Sequence, residues 1–253
     1  MNNPQSLAFF VPAYNEADNL PYVINRIEEF CRFNSISSRS IIIVDDGSSD
    51  HTALVISKLR LVYDFDVVSH VVNKGYGAAL RTGLNAALET DHSWIAFCDS
   101  DGQFDPMDTG RLLQAMYANN ADVAIGYREQ RADKWHRRII GQLWHWLSSL
   151  VLGYKAVDVD CGFKVFSRRS IEEISPQLCG EYATISPEIL TCLQLGGFKI
   201  VEEAVSHYPR TNGQQTGADF HVMWNSLVGL FKVRTITRKV ASVYDIDTEY
   251  VVA

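Results

Sequence analysis

The sequence predicts an α/β domain with a mostly parallel central sheet and helices on both of its faces. Short β-rich apolar runs alternate with segments of helical periodicity through the first half of the chain, and the runs end in polar loops. Repeated β–loop–α units imply parallel strands, because right-handed crossovers place the connecting helices over the sheet. With 253 residues, 47% of them hydrophobic, the chain is long enough to form one large domain with a full core.

The first half of the chain predicts five strands separated by helices. The strands are short apolar or β-branched runs: Leu7–Val11, Ile41–Val44, Phe65–Val72, Trp94–Cys98 and Asp122–Ile125. Helical periodicity follows four of them, in a stripe that begins after Asn19, in His51–Leu61 with Asp50 as its N-cap, in Ala78–Leu88 and in Leu112–Tyr117.

The second half is less regular. It predicts a helix with an apolar stripe over Ile140–Val151, a strand Phe163–Phe166 after the polar loop Asp158–Gly162, and a helix Glu188–Leu195. An amphipathic helix follows over Phe220–Phe231, with Asp219 as its N-cap. We expect residues 1–218 to form the main domain and residues 219–253 a C-terminal amphipathic helix and tail, packed on that domain or on a membrane surface.

Composition excludes several classes of protein. A formal net charge of −7 argues against a general nucleic-acid binder, which needs a basic surface. The sequence contains no run approaching the roughly 18–20 apolar residues of a membrane-spanning helix, and its N-terminus lacks the basic region of a signal peptide. The five cysteines are scattered without C-x-x-C spacing, as in reduced cytosolic proteins. We therefore expect a cytoplasmic protein with no nucleic-acid partner.

Two acidic loops follow predicted strands. Asp99 and Asp101 come directly after Trp94–Cys98, so both carboxylates can face one hard divalent cation that also binds substrate phosphates. Such a cation assists departure of a phosphate-bearing leaving group, whereas the alternative for this motif is an ordinary acidic turn. In the loop Asp45–Asp50, a carboxylate could bind a nucleobase or ribose; alternatively, Asp46 shapes the turn and Asp50 caps the helix.

The glycine-containing segment Asn73–Leu80 is similar to a dinucleotide-binding fingerprint. Leu80 occupies the position of its third glycine, however, and the first strand of the chain lacks the fingerprint as well. A nicotinamide or flavin oxidoreductase is therefore not expected.

Taken together, the motifs resemble the family 2 inverting glycosyltransferases of the nucleotide-diphospho-sugar transferase (GT-A) fold. The resemblance is strongest to the branch of dolichyl- and polyprenyl-phosphate mannose or glucose synthases. It spans residues 6–235 and is carried by Val11–Glu16, Val44–Asp50, Asn73–Gly75 with Gly77 and Gly83, Asp99–Gln103, Asp160–Phe166, Ser186–Glu188, and Tyr208–Arg210 with Gly213. The resemblance implies a nucleotide-diphospho-sugar donor of the GDP-mannose or UDP-glucose type.

The resemblance also implies roles for individual residues. The donor site would be formed by Pro12, Tyr14, Glu16, Val44, Asp46, Lys74, Asp99, Ser100 and Arg128. A Mg²⁺ or Mn²⁺ ion would be held by Asp99, Asp101 and Gln103. The predicted catalytic residues are Asp101, Asp160, Glu188 and Arg210, with Arg210 on a mobile acceptor-side loop where its guanidinium pairs with phosphate.

The acceptor has two alternatives. A polyprenyl phosphate, the first choice, is already an anion and needs no strong base, whereas a hydroxyl of a soluble metabolite or cell-envelope precursor needs one within hydrogen-bond reach. Candidates for such a base are Asp158, Asp160 and Glu188; the alternatives are loop solvation for Asp158 and helix-dipole pairing for Glu188. The branch usually reads R-x-x-G-x-S-K after the arginine, but Gln215 and Thr216 replace the serine and lysine here, which weakens the case for a lipid phosphate.

Two rival functions and a membrane contact complete the predictions. A sugar-phosphate nucleotidyltransferase would need a glycine-rich basic loop after the first strand, and a non-catalytic binding module would be expected to have lost the Asp99/Asp101 pair.

The stretch from Gly229 to Val240 carries four basic residues and no acid. Together with the Phe220–Phe231 stripe it could lie peripherally on the inner face of the cell membrane, the alternative being packing against the sheet.

Overall fold

The computed structural model describes residues 6–129, 135–212 and 220–243. The described strands are β1 (Ser6–Ala13), β2 (Ser38–Asp45), β3 (Asp66–Ser69), β4 (Trp94–Cys98), β5 (Val123–Arg128), β6 (Phe163–Ser167) and β7 (Ile200–Val205). The described helices are α1 (Leu20–Phe33), α2 (Thr52–Leu59), α3 (Tyr76–Leu88), α4 (Thr109–Asn119), α5 (Trp135–Leu152), α6 (Arg168–Ile174), α7 (Ile185–Leu195) and α8 (Phe220–Val243).

These strands form one seven-stranded sheet in the order β3-β2-β1-β4-β6-β5-β7. β1 pairs in parallel with both β2 and β4, β2 pairs in parallel with β3, and β5 pairs in parallel with β7. Only β6 runs antiparallel to its neighbours, between β4 and β5. The predicted mostly parallel sheet is confirmed.

The sheet separates two apolar clusters, so its strands are buried on both faces. One cluster contains Phe10 and Phe97 and is covered by α3 and α5 to α8, whereas the other contains Phe9 and is covered by α1, α2 and α4. This arrangement confirms the predicted helices on both faces. Helix α3 crosses β1 closely at Gly83, where an added Cβ would lie 2.2 Å from the Phe10 ring.

Several predicted boundaries shift in the structure. The predicted strand Phe65–Val72 is shorter, Asp66–Ser69, and α7 begins at Ile185 rather than Glu188. Helix α2 begins at Thr52 and its N-cap residue is His51, so the predicted N-cap Asp50 is wrong by one residue, although Asp50 accepts a hydrogen bond from the Thr52 amide at 2.9 Å. The sequence analysis did not identify α6, which is capped by Ser167. The predicted N-cap Asp219 lies outside the described residues.

Helix α8 is the described part of the predicted C-terminal segment. Its Leu230 and Val233 are buried in the cluster on the α3 side of the sheet, and α8 contacts α5, α7 and the turn at residues 182–184. Among the described residues, no helix combines the length and the apolar character needed to cross a bilayer. The division at residue 218 remains a prediction.

Candidate functional site

The acidic loops meet at one edge of the sheet, because β2, β1 and β4 are neighbours and run in parallel. We call this the strand-end edge. The loop after β1 is bonded to the loop after β2: the Asn15 amide donates to Ser48 Oγ at 2.9 Å, and the Glu16 amide donates to Thr52 Oγ1 at 3.0 Å. Asn15 adopts a left-handed conformation, with φ of 56°, at this junction. The edge is therefore a connected unit rather than a set of independent loops.

Asp46 is buried and holds the turn that precedes α3. Its carboxylate lies 2.6 Å from His70 Nδ1 and accepts hydrogen bonds from the backbone amides of Lys74 at 2.9 Å and Gly75 at 2.8 Å. These contacts favour the turn-shaping alternative for Asp46, and its contact with a base remains a prediction.

Other predicted donor residues differ in exposure. Pro12 and Val44 are buried, Val44 in the apolar core; Tyr14 is half-buried and Lys74 is exposed.

Asp99 lies between α3 and the loop before β6. Its Oδ1 accepts a hydrogen bond from the Tyr76 hydroxyl at 2.9 Å, and its backbone amide donates to Gly162 O at 2.9 Å. Gly162 packs closely against this carboxylate, since an added Cβ would lie 1.8 Å from Asp99 Oδ2. Burial, and then the neighbouring Asp101 carboxylate, raise the pKa of Asp99 to about 7.

This pair of carboxylates fits a divalent cation that is shared with a substrate. Burial is the main cause of the raised pKa of Asp99 and the Asp101 carboxylate adds to it, so a bound cation would favour the ionised form of both groups. Within the described residues, no three His, Cys, Asp or Glu side chains converge as a ready-made metal cage. Mg²⁺ typically uses one or two carboxylates and completes its shell with water and substrate phosphates, so the two aspartates suit such an ion.

Arg210 reaches the same edge from the segment 207–212, which we call the cross-cleft segment. Its Nη2 lies 2.5 Å from Glu16 Oε1, and its Nη1 lies 3.6 Å from Asp101 Oδ2. Asn19 supports the arrangement, because its Nδ2 donates to Glu16 Oε2 at 2.6 Å. The structure thus places three predicted site residues, Glu16, Asp101 and Arg210, in one ionic cluster.

The cross-cleft segment is also tied to the loop after Asp101. The Tyr208 amide donates to Gln103 O at 2.8 Å, and Gln103 Nε2 donates back to Tyr208 O at 3.1 Å. An isolated β-bridge joins Phe104 and His207. The next part of the predicted acceptor-side loop, including Gln215 and Thr216, lies outside the described residues.

Arg128 and Asp158 form a buried bidentate ion pair. Arg128 Nε lies 2.7 Å from Asp158 Oδ2, and Arg128 Nη2 donates to Asp158 Oδ1 at 2.8 Å. Asp158 is only 3% exposed, so its carboxylate is committed to positioning this guanidinium. The neighbouring Asp160 is half-buried and adds to the negative charge around Arg128, which leaves Asp160 more accessible than Asp158 as a candidate base.

Glu188 lies in the interior behind α3. Its fully buried carboxylate accepts hydrogen bonds from the backbone amides of Cys179 at 3.1 Å and Gly180 at 2.6 Å, and from the Cys179 thiol at 3.2 Å. Arg81 of α3 donates to Gly180 O, so the two side chains together fix the turn after α6 against α3. Its predicted catalytic role is untested, and these contacts favour a structural one.

The sequence analysis missed several residues of the site, among them His70, which pairs with Asp46. Tyr76 binds Asp99, Asn19 binds Glu16, and Lys164 is buried beneath the Asp158–Gly162 loop. A signal existed only for Lys164, which interrupts the apolar run Phe163–Phe166. The hydrogen bonds of Tyr76 and Asn19 depend on how the loops fold.

Comparisons with known proteins identify the family and the fold of this chain. The family model described as glycosyl transferase family 2 matches residues 8–175. The chain is 30% identical over 219 residues to polyprenol monophosphomannose synthase of Mycolicibacterium smegmatis, covering 83% of this chain and 80% of that protein. It is 26% identical over 261 residues to dolichyl-phosphate beta-glucosyltransferase of Drosophila melanogaster, covering 92% of this chain and 79% of that one.

A solved structure shows the same fold. Glucosyl-3-phosphoglycerate synthase from Mycobacterium tuberculosis superposes with a TM-score of 0.69 at 17% identity, covering 91% of this chain and 80% of that chain. Other crystal structures of that enzyme contain UDP with Mg²⁺ or with Mn²⁺. The fold of this chain is therefore the GT-A fold predicted from the motifs. With two thirds of the chain matched by the family model, this protein is a glycosyltransferase and belongs to glycosyltransferase family 2.

Proposed function

We propose that this enzyme transfers a hexose from a nucleotide-diphospho-sugar to a polyprenyl phosphate, with inversion at the anomeric carbon. The observation that carries the proposal is the meeting of Asp101 and Arg210 at the strand-end edge, with 3.6 Å between Arg210 Nη1 and Asp101 Oδ2. One edge thus combines a carboxylate pair suited to a cation–diphosphate complex with a guanidinium suited to a second phosphate. The relatives named for polyprenol and dolichyl phosphate support the same acceptor class.

The donor would be of the GDP-mannose or UDP-glucose type and would bind together with Mg²⁺ or Mn²⁺. Asp99, Asp101 and Gln103 are the residues proposed to hold the cation, which would neutralise the charge that develops on the departing diphosphate. The complexes of the M. tuberculosis enzyme with UDP and these ions support this choice.

In the proposed reaction, a phosphate oxygen of the acceptor attacks the anomeric carbon on the face opposite the diphosphate. The new C–O bond forms as the bond to the nucleoside diphosphate breaks, and the leaving group takes the electron pair. Arg210 would orient the acceptor phosphate, and Arg128, held rigidly by Asp158, would supply positive charge near the sugar phosphates. No general base is needed, because the acceptor is already an anion near neutral pH.

Transfer to a hydroxyl is the second candidate. It is favoured by Gln215 and Thr216, which replace the serine and lysine that the lipid-phosphate branch usually carries after its arginine. In this case Asp160, half-buried beside the Arg128–Asp158 pair, would act as the general base.

The two candidates are separated by supplying matched acceptors. The purified chain would be incubated with Mn²⁺ and radiolabelled GDP-mannose or UDP-glucose, together with either a short-chain polyprenyl phosphate or the corresponding unphosphorylated polyprenol. We expect label in the organic phase only with the phosphate. Label transferred equally to the polyprenol, or only donor hydrolysis with both lipids, would contradict a lipid-phosphate acceptor.

We also place the enzyme peripherally on the cytoplasmic face of the membrane, where its acceptor would be embedded. Support comes from two exposed apolar stripes: Leu143, Trp146 and Leu150 on α5, and Trp224, Val228 and Phe231 on α8. Helices α5 and α8 contact each other, and α8 also carries the basic side chains of Lys232, Arg234 and Arg238. An apolar stripe beside basic residues is the pattern of a helix that lies on an anionic leaflet.

A further inference from the structure

Lys164 is a lysine in the middle of the sheet. It lies on β6 opposite Phe97 of β4 and Ile125 of β5, and only 1% of its surface is exposed. Its Nζ lies 5.4 Å from the centroid of the Phe97 ring. Burying an ammonium group in such surroundings is unfavourable unless nearby groups compensate for its lost hydration, so this position calls for an explanation.

The ammonium group is anchored beneath the loop that precedes its own strand. Nζ donates to Val159 O at 3.1 Å and to Cys161 O. This Asp158–Gly162 loop carries the aspartate that holds Arg128, and the glycine against which Asp99 packs. Lys164 is therefore fixed directly behind the sugar-phosphate end of the proposed site.

The charges around Lys164 are predominantly negative. Burial lowers the pKa of its ammonium group, and the carboxylates of Asp160, Asp99 and Asp158 oppose that shift. The guanidinium groups of Arg210 and Arg128 are paired with Glu16 and Asp158. Lys164 adds a further positive charge near the acidic loops, and it does so from the interior of the protein.

We propose that Lys164 is the internal counter-ion of the donor diphosphate site, a positioning residue that acts through Asp99 and the Asp158–Gly162 loop without touching the substrate. Its fixed positive charge limits the repulsion between the acidic loops and the anionic diphosphate. A metal site by itself would bind more tightly without Lys164, whereas an anionic donor would bind more weakly. The proposal rests on the donor and cation of the proposed function, and its test separates the two.

The test uses Lys164→Met and Lys164→Gln in the full chain, both of which remove the charge. Binding of Mn²⁺ alone would be followed by electron paramagnetic resonance, and binding of UDP or GDP without metal by calorimetry. We expect the dissociation constant for Mn²⁺ to fall and that for the nucleoside diphosphate to rise, each by about tenfold, because one charge is lost close to both ligands. Lys58→Met, which removes an exposed lysine of α2, should change neither constant.

A purely structural role predicts a different pattern. Loosening of the loop would weaken the binding of both ligands, and an uncharged Lys164 would leave both constants unchanged; either result would overturn the proposal.

If both neutral variants fail to fold, Lys164→Arg carries the test. Its retained charge predicts a Mn²⁺ affinity within about twofold of wild type, and a change beyond about fivefold would contradict the proposal. Failure of the wild type to bind Mn²⁺ would count against the proposed cation, while the nucleoside diphosphate measurement would still test Lys164.

Discussion

Asp101 is the residue on which the proposed cation site depends most directly. Its Oδ1 accepts a hydrogen bond from the Gln103 amide at 3.0 Å, and an asparagine at this position would keep that acceptor while losing the charge. We therefore expect Asp101→Asn to lower the Mn²⁺-dependent transfer rate by at least about a hundredfold, comparable to the loss of a strong electrostatic contact to the transition state.

The fold of the Asp101→Asn variant should be unaffected, because the side chain is partly exposed and its turn contact is retained. Its melting temperature should stay within about 2 °C of wild type, as expected for a substitution outside the core. Initial rates over a Mn²⁺ titration, together with thermal unfolding, check both statements. A rate within tenfold of wild type would contradict the role of Asp101 in binding the cation.

The pH dependence of stability tests whether Glu188 is the buried structural group that its contacts indicate. Burial raises the pKa of this carboxyl above its ordinary value of 4.5, although the Cys179 and Gly180 amides oppose the shift. The protonated form is therefore favoured by folding, and the stability that Glu188 contributes is present below pH 4.5 and lost as pH rises through the raised pKa. In denaturant titrations, the free energy of unfolding of the wild type minus that of Glu188→Gln should decline between pH 4 and pH 7. An increase would contradict a raised pKa for Glu188.

The same Glu188→Gln variant also tests catalysis. Loss of a general base lowers rates by roughly 10²–10⁴-fold, whereas loss of a group that only fixes the turn at Cys179 and Gly180 should lower the rate by less than about tenfold. Rates normalised to the folded fraction separate these outcomes. A drop of a hundredfold or more would restore Glu188 as a candidate base.

At the level of single residues, the sequence identified acidic groups better than it identified their partners. Asp99 and Asp101 could be predicted, because a carboxylate pair after a buried strand is a local pattern. The bidentate pairing of Asp158 with Arg128 joins residues thirty positions apart, on either side of α5 in the sequence, and no local pattern encodes it. Glu188 looked like a helix-opening acid, but α7 begins at Ile185, so the first turn carries its carboxylate inward.

Among the elements, the cross-cleft segment 207–212 is anchored at Arg210 chiefly by the buried carboxylate of Glu16. Glu16 accepts from both Arg210 and Asn19, so Glu16→Ala would leave a guanidinium and an amide without this acceptor. Since the Arg210 and Glu16 side chains are only 12% and 9% exposed, we expect a loss of about 2–4 kcal/mol in the free energy of unfolding. Hydrogen exchange at the Tyr208 amide should also accelerate, because the segment is no longer anchored at Arg210.

An exposed ion pair provides the control for Glu16→Ala. Arg111 Nη2 lies 3.7 Å from Glu203 Oε1, with side chains 49% and 36% exposed, so Glu203→Ala should change the unfolding free energy by less than about 1 kcal/mol. Equal effects of the two substitutions, or unchanged exchange at Tyr208 in Glu16→Ala, would show that Glu16 does not anchor the segment.

The element pattern was predictable where periodicity is local. Alternating apolar runs and helical stripes predicted the strands and helices from β1 to α4, because each parallel strand must be followed by a helix that covers the sheet. The orientation of β6 could not be predicted in this way. The apolar run Phe163–Phe166 predicts a buried strand but not its direction, and its antiparallel position between β4 and β5 depends on pairing with residues distant in sequence. Register of this kind is decided by tertiary packing rather than by local propensity.

For the whole molecule, the acidic composition and the proposed membrane contact have to be reconciled. A net charge of −7 repels an anionic leaflet, so attachment must rely on local apolar stripes and nearby basic residues rather than on overall charge. The strand-end edge concentrates carboxylates such as Asp46, Asp99 and Asp101, whereas α8 carries Lys232, Arg234 and Arg238. The charges are thus segregated, with acids at the site proposed to bind the cation and bases on a helix proposed to face the lipid.

This segregation predicts selective binding to anionic vesicles. We expect the wild-type chain to co-sediment with phosphatidylcholine vesicles containing about 30% phosphatidylglycerol and to be released by about 0.5 M salt, which screens the basic residues. Trp146 and Phe231 are 60% and 62% exposed, and replacing both with glutamate should weaken vesicle binding at least about tenfold through lost apolar burial and added repulsion.

Phe33→Glu is the matched control, because Phe33 is 80% exposed but ends α1, on the other face of the sheet. Equal binding by the double variant and wild type, or equal loss in the Phe33 variant, would show that the stripes on α5 and α8 are not the membrane-binding surface.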